Sequence, residues 1–164
     1  MPVAGSLPPM AERDETTILV AADAEWVRAQ VRAAFVGRGQ RVVELKSGFD
    51  VRAAVAESPP DLVVLDMQIG NMGGVAVAID LHLEAAAGRL EDVPVLLLLD
   101  RAADTFLARR AEADAELVKP VDAGTLRRTA KRLLAEWASP PDEPGEPVDE
   151  TPAPEPAAAG SLES

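Results

Sequence analysis

The chain has 164 residues, 48% hydrophobic and 27% charged, which suits one globular domain with tails. It has no Cys and a single His, His82, which excludes disulfides, thiolate metal sites and cysteine nucleophiles and leaves a multi-His site or a Ser-His-Asp hydrolase short of parts. Of the 28 acidic residues, seven fall in residues 138–164, which hold no Lys or Arg; the other 21 stand against 16 basic residues, and the net charge of −12 disfavours phosphate-backbone binding to nucleic acid.

Residues 1–15 carry Pro2, Pro8, Pro9 and the run Glu12-Arg13-Asp14-Glu15 and read as a flexible lead. They lack the basic start and apolar stretch of a secretory signal. No apolar run reaches the length of a membrane span, so the expectation is a cytoplasmic protein that binds neither membrane nor nucleic acid.

Residues 16–22 (TTILVAA) form a short continuous apolar run, the pattern of a strand buried on both faces. Helical spacing follows over 24–37, with Val27, Val31, Ala34 and Phe35 on one face and Arg28 and Arg32 elsewhere; Gly37 and Gly39 serve as stops. Residues 41–45 (RVVEL) are a second strand. Ser47 and Asp50 have capping-box spacing before a helix that carries Val51, Ala54 and Val55 and ends near Ser58-Pro59-Pro60.

Residues 61–66 (DLVVLD) make a third strand, apolar until its last residue, followed by the loop 67–74 and a helix presenting Val75, Ile79 and Leu83. Within that loop, Gly70-Asn71-Met72-Gly73-Gly74 lacks the lysine of a phosphate-cradling loop and predicts a tight turn with positive φ. His82 sits in mid-helix as a surface or boundary side chain. Residues 93–99 (VPVLLLL) are the fourth strand, 102–113 a helix, and 115–118 a short fifth strand. The last helix, about 122–137, places Leu126, Ala130, Leu133, Leu134 and Trp137 on its apolar side and Arg127, Arg128, Lys131 and Arg132 on a solvated or docking face. Residues 138–164, rich in Pro, Glu, Asp and Ala, cannot bury enough surface to offset their ordering entropy and read as a disordered acidic tail.

Five strand–helix units predict an α/β fold: a five-stranded parallel sheet, doubly wound, in the flavodoxin-like order 2-1-3-4-5 over residues 16–137. Sites in such sheets lie beyond the C-terminal strand ends. Asp23 follows the first strand, Asp66 ends the third and Lys119 follows the fifth. Two adjacent carboxylates repel unless a cation sits between them, and Mg²⁺ takes one or two carboxylates plus waters. Such a metal leaves Asp66 able to attack as a carboxylate nucleophile, and Lys119 is a point charge suited to a phosphoryl oxygen. Taken singly, each Asp also fits an N-cap, and Lys119 a solvated loop lysine. The three on matching strand ends favour a shared site.

The segments ILVAADAEWVR, PDLVVLDMQIGNMGG, VPVLLLLDR and ELVKPVDAGTLRR, in this order and spacing, resemble receiver domains of two-component response regulators. The resemblance implies Asp66 as phosphoacceptor, Asp23 as a Mg²⁺ ligand together with Asp66 and the Gln68 carbonyl, Lys119 as the phosphoryl contact, and a cis Lys119–Pro120 bond. It also implies a sensor histidine kinase or phosphotransfer protein upstream and a protein partner downstream. In this order Trp137 leaves no room for a DNA-binding output domain, so a stand-alone receiver is expected.

Five positions depart from the family pattern. Ala22 replaces the first of two acids after strand one, which weakens Mg²⁺ binding. Leu99 stands where the family has a switch Thr or Ser, and Glu116 where it has an aromatic. Gly70 and Gly73 replace the usual Pro and Asp of the loop. A leucine cannot hydrogen-bond a phosphoryl group, so the expected phosphorylation-driven shift is small or uses another element. The alternative is a phosphorylation-independent pseudo-receiver acting as an interaction module. A flavin carrier or small hydrolase of the same fold fits worse, because the loop Ala22-Asp23-Ala24-Glu25 lacks hydroxyls and Trp26 is its sole nearby aromatic.

Overall fold

The computed structural model describes residues 14–37 and 39–139; most of the lead and nearly all of the acidic tail lie outside them. Strand and helix alternate: β1 Thr16–Ala21, α1 Glu25–Ala34, β2 Gln40–Leu45, α2 Phe49–Glu57, β3 Leu62–Asp66, α3 Gly74–Ala86, β4 Val95–Leu99, α4 Thr105–Arg110, β5 Ala115–Val118 and α5 Ala123–Ala138. All pairings are parallel and the sheet order is β2-β1-β3-β4-β5, as the alternating pattern predicts.

The central strands LVVLD and VLLLL are buried at every position, which explains their uninterrupted apolar sequence. Strand alternation splits the core into two layers. Ile18, Val20, Leu62, Val64, Leu96 and Leu98 pack with Val27 and Val31 of α1 and Leu126 and Leu133 of α5. Leu19, Val63, Leu65, Leu97 and Leu99 pack on the other side with Val51, Val55, Val77 and Leu81 from α2 and α3. Each fully buried Leu or Val contributes about 1.5–3 kcal/mol.

Four local expectations are corrected. The buried face of α3 is Gly74, Val77, Ala78 and Leu81, while Ile79 and Leu83 are exposed. The reason is Gly74: a Cβ there would stand 2.2 Å from the Asp66 carbonyl oxygen, so the helix is seated with this residue against β3. Arg28, assigned away from the core face of α1, is buried. The capping box at Ser47 does not form: the N-cap of α2 is Gly48, Ser47 Oγ accepts from the Phe49 N–H at 3.3 Å, and Asp50 returns no bond. Gly48 is required there because its Cβ would lie 2.3 Å from the Met72 carbonyl. The loop before α3 does hold the expected positive φ, on Asn71 at 70°. The expected helix over 102–113 is shorter, a 3-10 turn at Ala102–Asp104 and then α4.

Register sets the site. Ala21 lies opposite Leu65, Asp66 opposite Leu98, and Leu99 opposite Val118. The C-terminal ends of β1, β3, β4 and β5 therefore share one edge of the sheet. Among the described residues no helix is long and apolar enough to cross a membrane.

Candidate functional site

Asp66 ends β3 with only 1% of its surface exposed. Its Oδ1 accepts from Lys119 Nζ at 2.5 Å and from the Gln68 N–H at 3.2 Å. It does not cap a helix, since the N-cap of α3 is Gly73. Lys119 follows β5, tied to the sheet by its own N–H on the Leu99 carbonyl at 2.8 Å. Its side chain is 8% exposed, so it is not a solvated loop lysine. The Lys119–Pro120 bond is cis, as the resemblance implies.

Asp23 follows β1 and is exposed. Its Oδ2 accepts from the Gly70 N–H at 3.2 Å, which joins it to the loop after β3. The N-cap of α1 is Ala24 and receives no side-chain bond, so Asp23 is not a cap either. The structure thus brings Asp66 and Lys119 into direct contact and ties Asp23 to the loop that carries Gln68.

Two groups at the site were not singled out by sequence reasoning. Asp100 follows β4, and its Oδ1 stands 2.8 Å from Lys119 Nζ. The signal was present: it is a third acid at a C-terminal strand end. Arg28 donates from Nη1 to the Ala22 carbonyl at 2.6 Å and the Asp23 carbonyl at 2.7 Å, and from Nη2 to Glu25 at 2.5 Å. No sequence pattern separates such an arginine from a solvated one. Trp26 lies over the ammonium of Lys119, 5.8 Å from Nζ to the ring centroid, within cation–π range.

Burial pulls Lys119 toward its neutral form. Hydrogen bonds to Asp100 and Asp66 outweigh it and hold its pKa above the ordinary lysine value. Leu99 is fully buried in the layer beneath α3 and α4, so the end of β4 offers an apolar plug where a hydroxyl would otherwise sit. Glu116 is half-buried, and its side chain makes no hydrogen bond or ion pair among the described residues.

Among the described residues no three His, Cys, Asp or Glu side chains cluster as a metal site. A hard divalent cation still has oxygens to use. Asp66 Oδ2, Asp23 Oδ1 and the Gln68 carbonyl accept no hydrogen bond among the described residues. Two carboxylates and a main-chain carbonyl are the donor set such an ion takes. A wide groove between α2 and α3, lined by Phe49, Arg52, Met72 and Asp80, lies apart from these acids, and its Arg52 pairs with Asp80.

Residues 18–131 match the family model described as the response regulator receiver domain. The chain is 32% identical over 121 residues to the KDP operon transcriptional regulatory protein KdpE of Escherichia coli, covering 73% of this chain and 51% of KdpE. It is 27% identical over 120 residues to Protein PilH of Pseudomonas aeruginosa, covering 72% of this chain and 97% of PilH. The chain thus spans about half the length of KdpE. The solved chemotaxis response regulator CheY4 of Vibrio cholerae superposes with a TM-score of 0.64 at 20% identity, covering 73% of this chain and 98% of that one, a likeness of fold.

Proposed function

The chain belongs to the response regulator receiver domain family, and on that premise we propose that it is a receiver in phosphorelay signalling whose Asp66 accepts a phosphoryl group. The observation that carries this reading is the state of Asp66. It is a buried carboxylate with Oδ1 held by Lys119 at 2.5 Å and Oδ2 free of hydrogen bonds among the described residues. That leaves a nucleophile oriented by one oxygen and open at the other. Lys119 contacts the phosphoryl oxygens, and the chemistry is self-catalysed transfer from a donor rather than turnover of a substrate.

Mg²⁺ would be held by Asp23, Asp66 and the Gln68 carbonyl, where it would supply charge neutralisation for an incoming phosphoryl group. With Ala22 in place of a second acid, binding is weak. The upstream partner is a sensor histidine kinase or phosphotransfer protein and the location cytoplasmic. Output runs through contacts with a downstream protein.

The test is intact mass of the full chain after incubation with acetyl phosphate and Mg²⁺, wild type against Asp66→Ala. An adduct of one phosphoryl group in the wild type, lost in the variant, is the expected result. No adduct in either, with both folded, overturns it. A second reading, a pseudo-receiver that binds partners without phosphate, is favoured by Leu99. Its burial leaves no hydroxyl at the end of β4 for a phosphoryl group to engage. That reading expects partner binding unchanged in Asp66→Ala.

A further inference from the structure

From the geometry around Lys119 we infer that Asp100 is a positioning residue that restrains phosphoryl acceptance: its carboxylate holds the Lys119 ammonium in the resting protein, and phosphorylation of Asp66 requires that hold to be released. The inference rests on Asp66 being the acceptor and adds the element that regulates it.

Lys119 has three N–H donors. One is directed to Asp66 Oδ1 at 2.5 Å and one to Asp100 Oδ1 at 2.8 Å, and the ring of Trp26 faces the same ammonium. The second oxygen of Asp100 is buried and has no hydrogen-bond partner among the described residues, so this carboxylate relies on Lys119 for its compensation. The lysine is therefore engaged by two anions before any phosphoryl group arrives. Leu99, one residue before Asp100, offers no hydroxyl as an alternative partner.

Phosphoryl transfer from acetyl phosphate forms a bond from a carboxylate oxygen of Asp66 to phosphorus. The P–O bond to the acetyl group breaks and its electron pair leaves with acetate. The product carries about −1.5 to −2 charges and three acceptor oxygens at Asp66. Asp100 and Asp66 share one ammonium, so the Asp100 charge stands close to the new dianion and opposes the step by Coulomb repulsion. Acceptance thus draws Lys119 from Asp100 Oδ1 toward the phosphoryl oxygens and leaves the Asp100 carboxylate without its cation.

The experiment uses the full chain as wild type, Asp100→Asn, Asp100→Glu and Asp66→Ala, with acetyl phosphate and Mg²⁺ as probe. It follows the rate of adduct formation by intact mass and, without phosphodonor, the Lys119 pKa by NMR of its side-chain nitrogen. Asp100→Asn is expected to form the adduct about tenfold faster and to lower the Lys119 pKa, while Asp100→Glu, which keeps the charge, stays near the wild type on both. An adduct in wild type and Asp100→Asn at equal rates overturns the role of Asp100 alone. An unchanged Lys119 pKa in Asp100→Asn overturns it as well. Absence of an adduct from wild type and Asp100→Asn, with the pKa nonetheless lowered, overturns the acceptor reading and with it the role given to Asp100.

Discussion

Arg28 grips the backbone of Asp23: its Nη1 donates to the Asp23 carbonyl at 2.7 Å and to the preceding Ala22 carbonyl at 2.6 Å, from one turn inside α1. The first turn of the helix and the end of β1 are thereby one unit. The guanidinium thus fixes the backbone at Ala22, the position of the first of the two family acids, and at Asp23. Arg28→Ala leaves two carbonyls without their donor and is expected to lower stability by about 2–3 kcal/mol. It also loosens Asp23, so Mg²⁺ affinity falls; titration followed by Trp26 emission checks this. Unchanged affinity in a folded variant would show that Asp23 is positioned by Gly70 alone.

Lys119 links pH to stability. Its folded pKa is raised, so its contribution is fully present below the unfolded lysine value, about 10.4, and is lost as pH rises through the higher folded value. Lys119→Met leaves Asp66 and Asp100 without their shared cation and is expected to cost about 2 kcal/mol at pH 7, below the range for fully buried pairs because Asp100 is partly exposed. Urea titrations from pH 7 to 11 should show the gap between wild type and variant constant to about pH 10 and shrinking above it. A gap that stays level across this range would mean that the ion pairs do not supply it.

Gly74 is a packing requirement of the acceptor strand. An added Cβ would meet the Asp66 carbonyl oxygen at 2.2 Å and its carbon at 2.9 Å. Gly74→Ala should therefore lower stability by about 2–3 kcal/mol and reduce adduct formation on Asp66. Gly37→Ala is the control, since nothing lies within 4 Å of its Cβ. Equal denaturation midpoints for the two variants would count against the assignment.

Asp122 caps α5, accepting from the Thr125 N–H at 2.9 Å and the Thr125 hydroxyl at 2.6 Å. The Thr125 hydroxyl and amide hold its pKa below the ordinary aspartate value. A lowered folded pKa gives stability that is present above the unfolded value and lost as pH falls through the folded one. Asp122→Ala should lower the melting temperature at pH 7, and the difference should begin to shrink as pH falls below about 3.9 toward the lower folded pKa. Melting curves of both proteins at pH 7 and pH 3 decide it.

Much of the fold was legible because buried parallel strands write themselves as continuous apolar runs. LVVLD and VLLLL sit where their sequences placed them, and the order of the sheet followed from strand–helix alternation. Asp23, Asp66 and Lys119 were legible for the same reason: each is the first polar group after an apolar run, and such groups emerge on one edge of a parallel sheet.

Helix settings were not legible. Val75, Ile79 and Leu83 share a face by periodicity, yet the close seat of Gly74 against Asp66 turns Val77, Ala78 and Leu81 inward instead. With apolar residues all around the helix, periodicity leaves the rotation undetermined and only a contact with β3 selects it. Arg28 shows the same limit for charge, because a buried arginine is distinguished by the carbonyls it meets.

The sequence by itself determined the strand–helix alternation, the identity of the strand-end acids and lysine, and the absence of a hydroxyl at Leu99, all of which are local properties of the chain. Only the tertiary structure decided that Lys119 is shared between Asp66 and Asp100 under the face of Trp26. Those groups come from β3, β4, β5 and α1, and their meeting depends on sheet register and side-chain reach, which no spacing along one segment encodes.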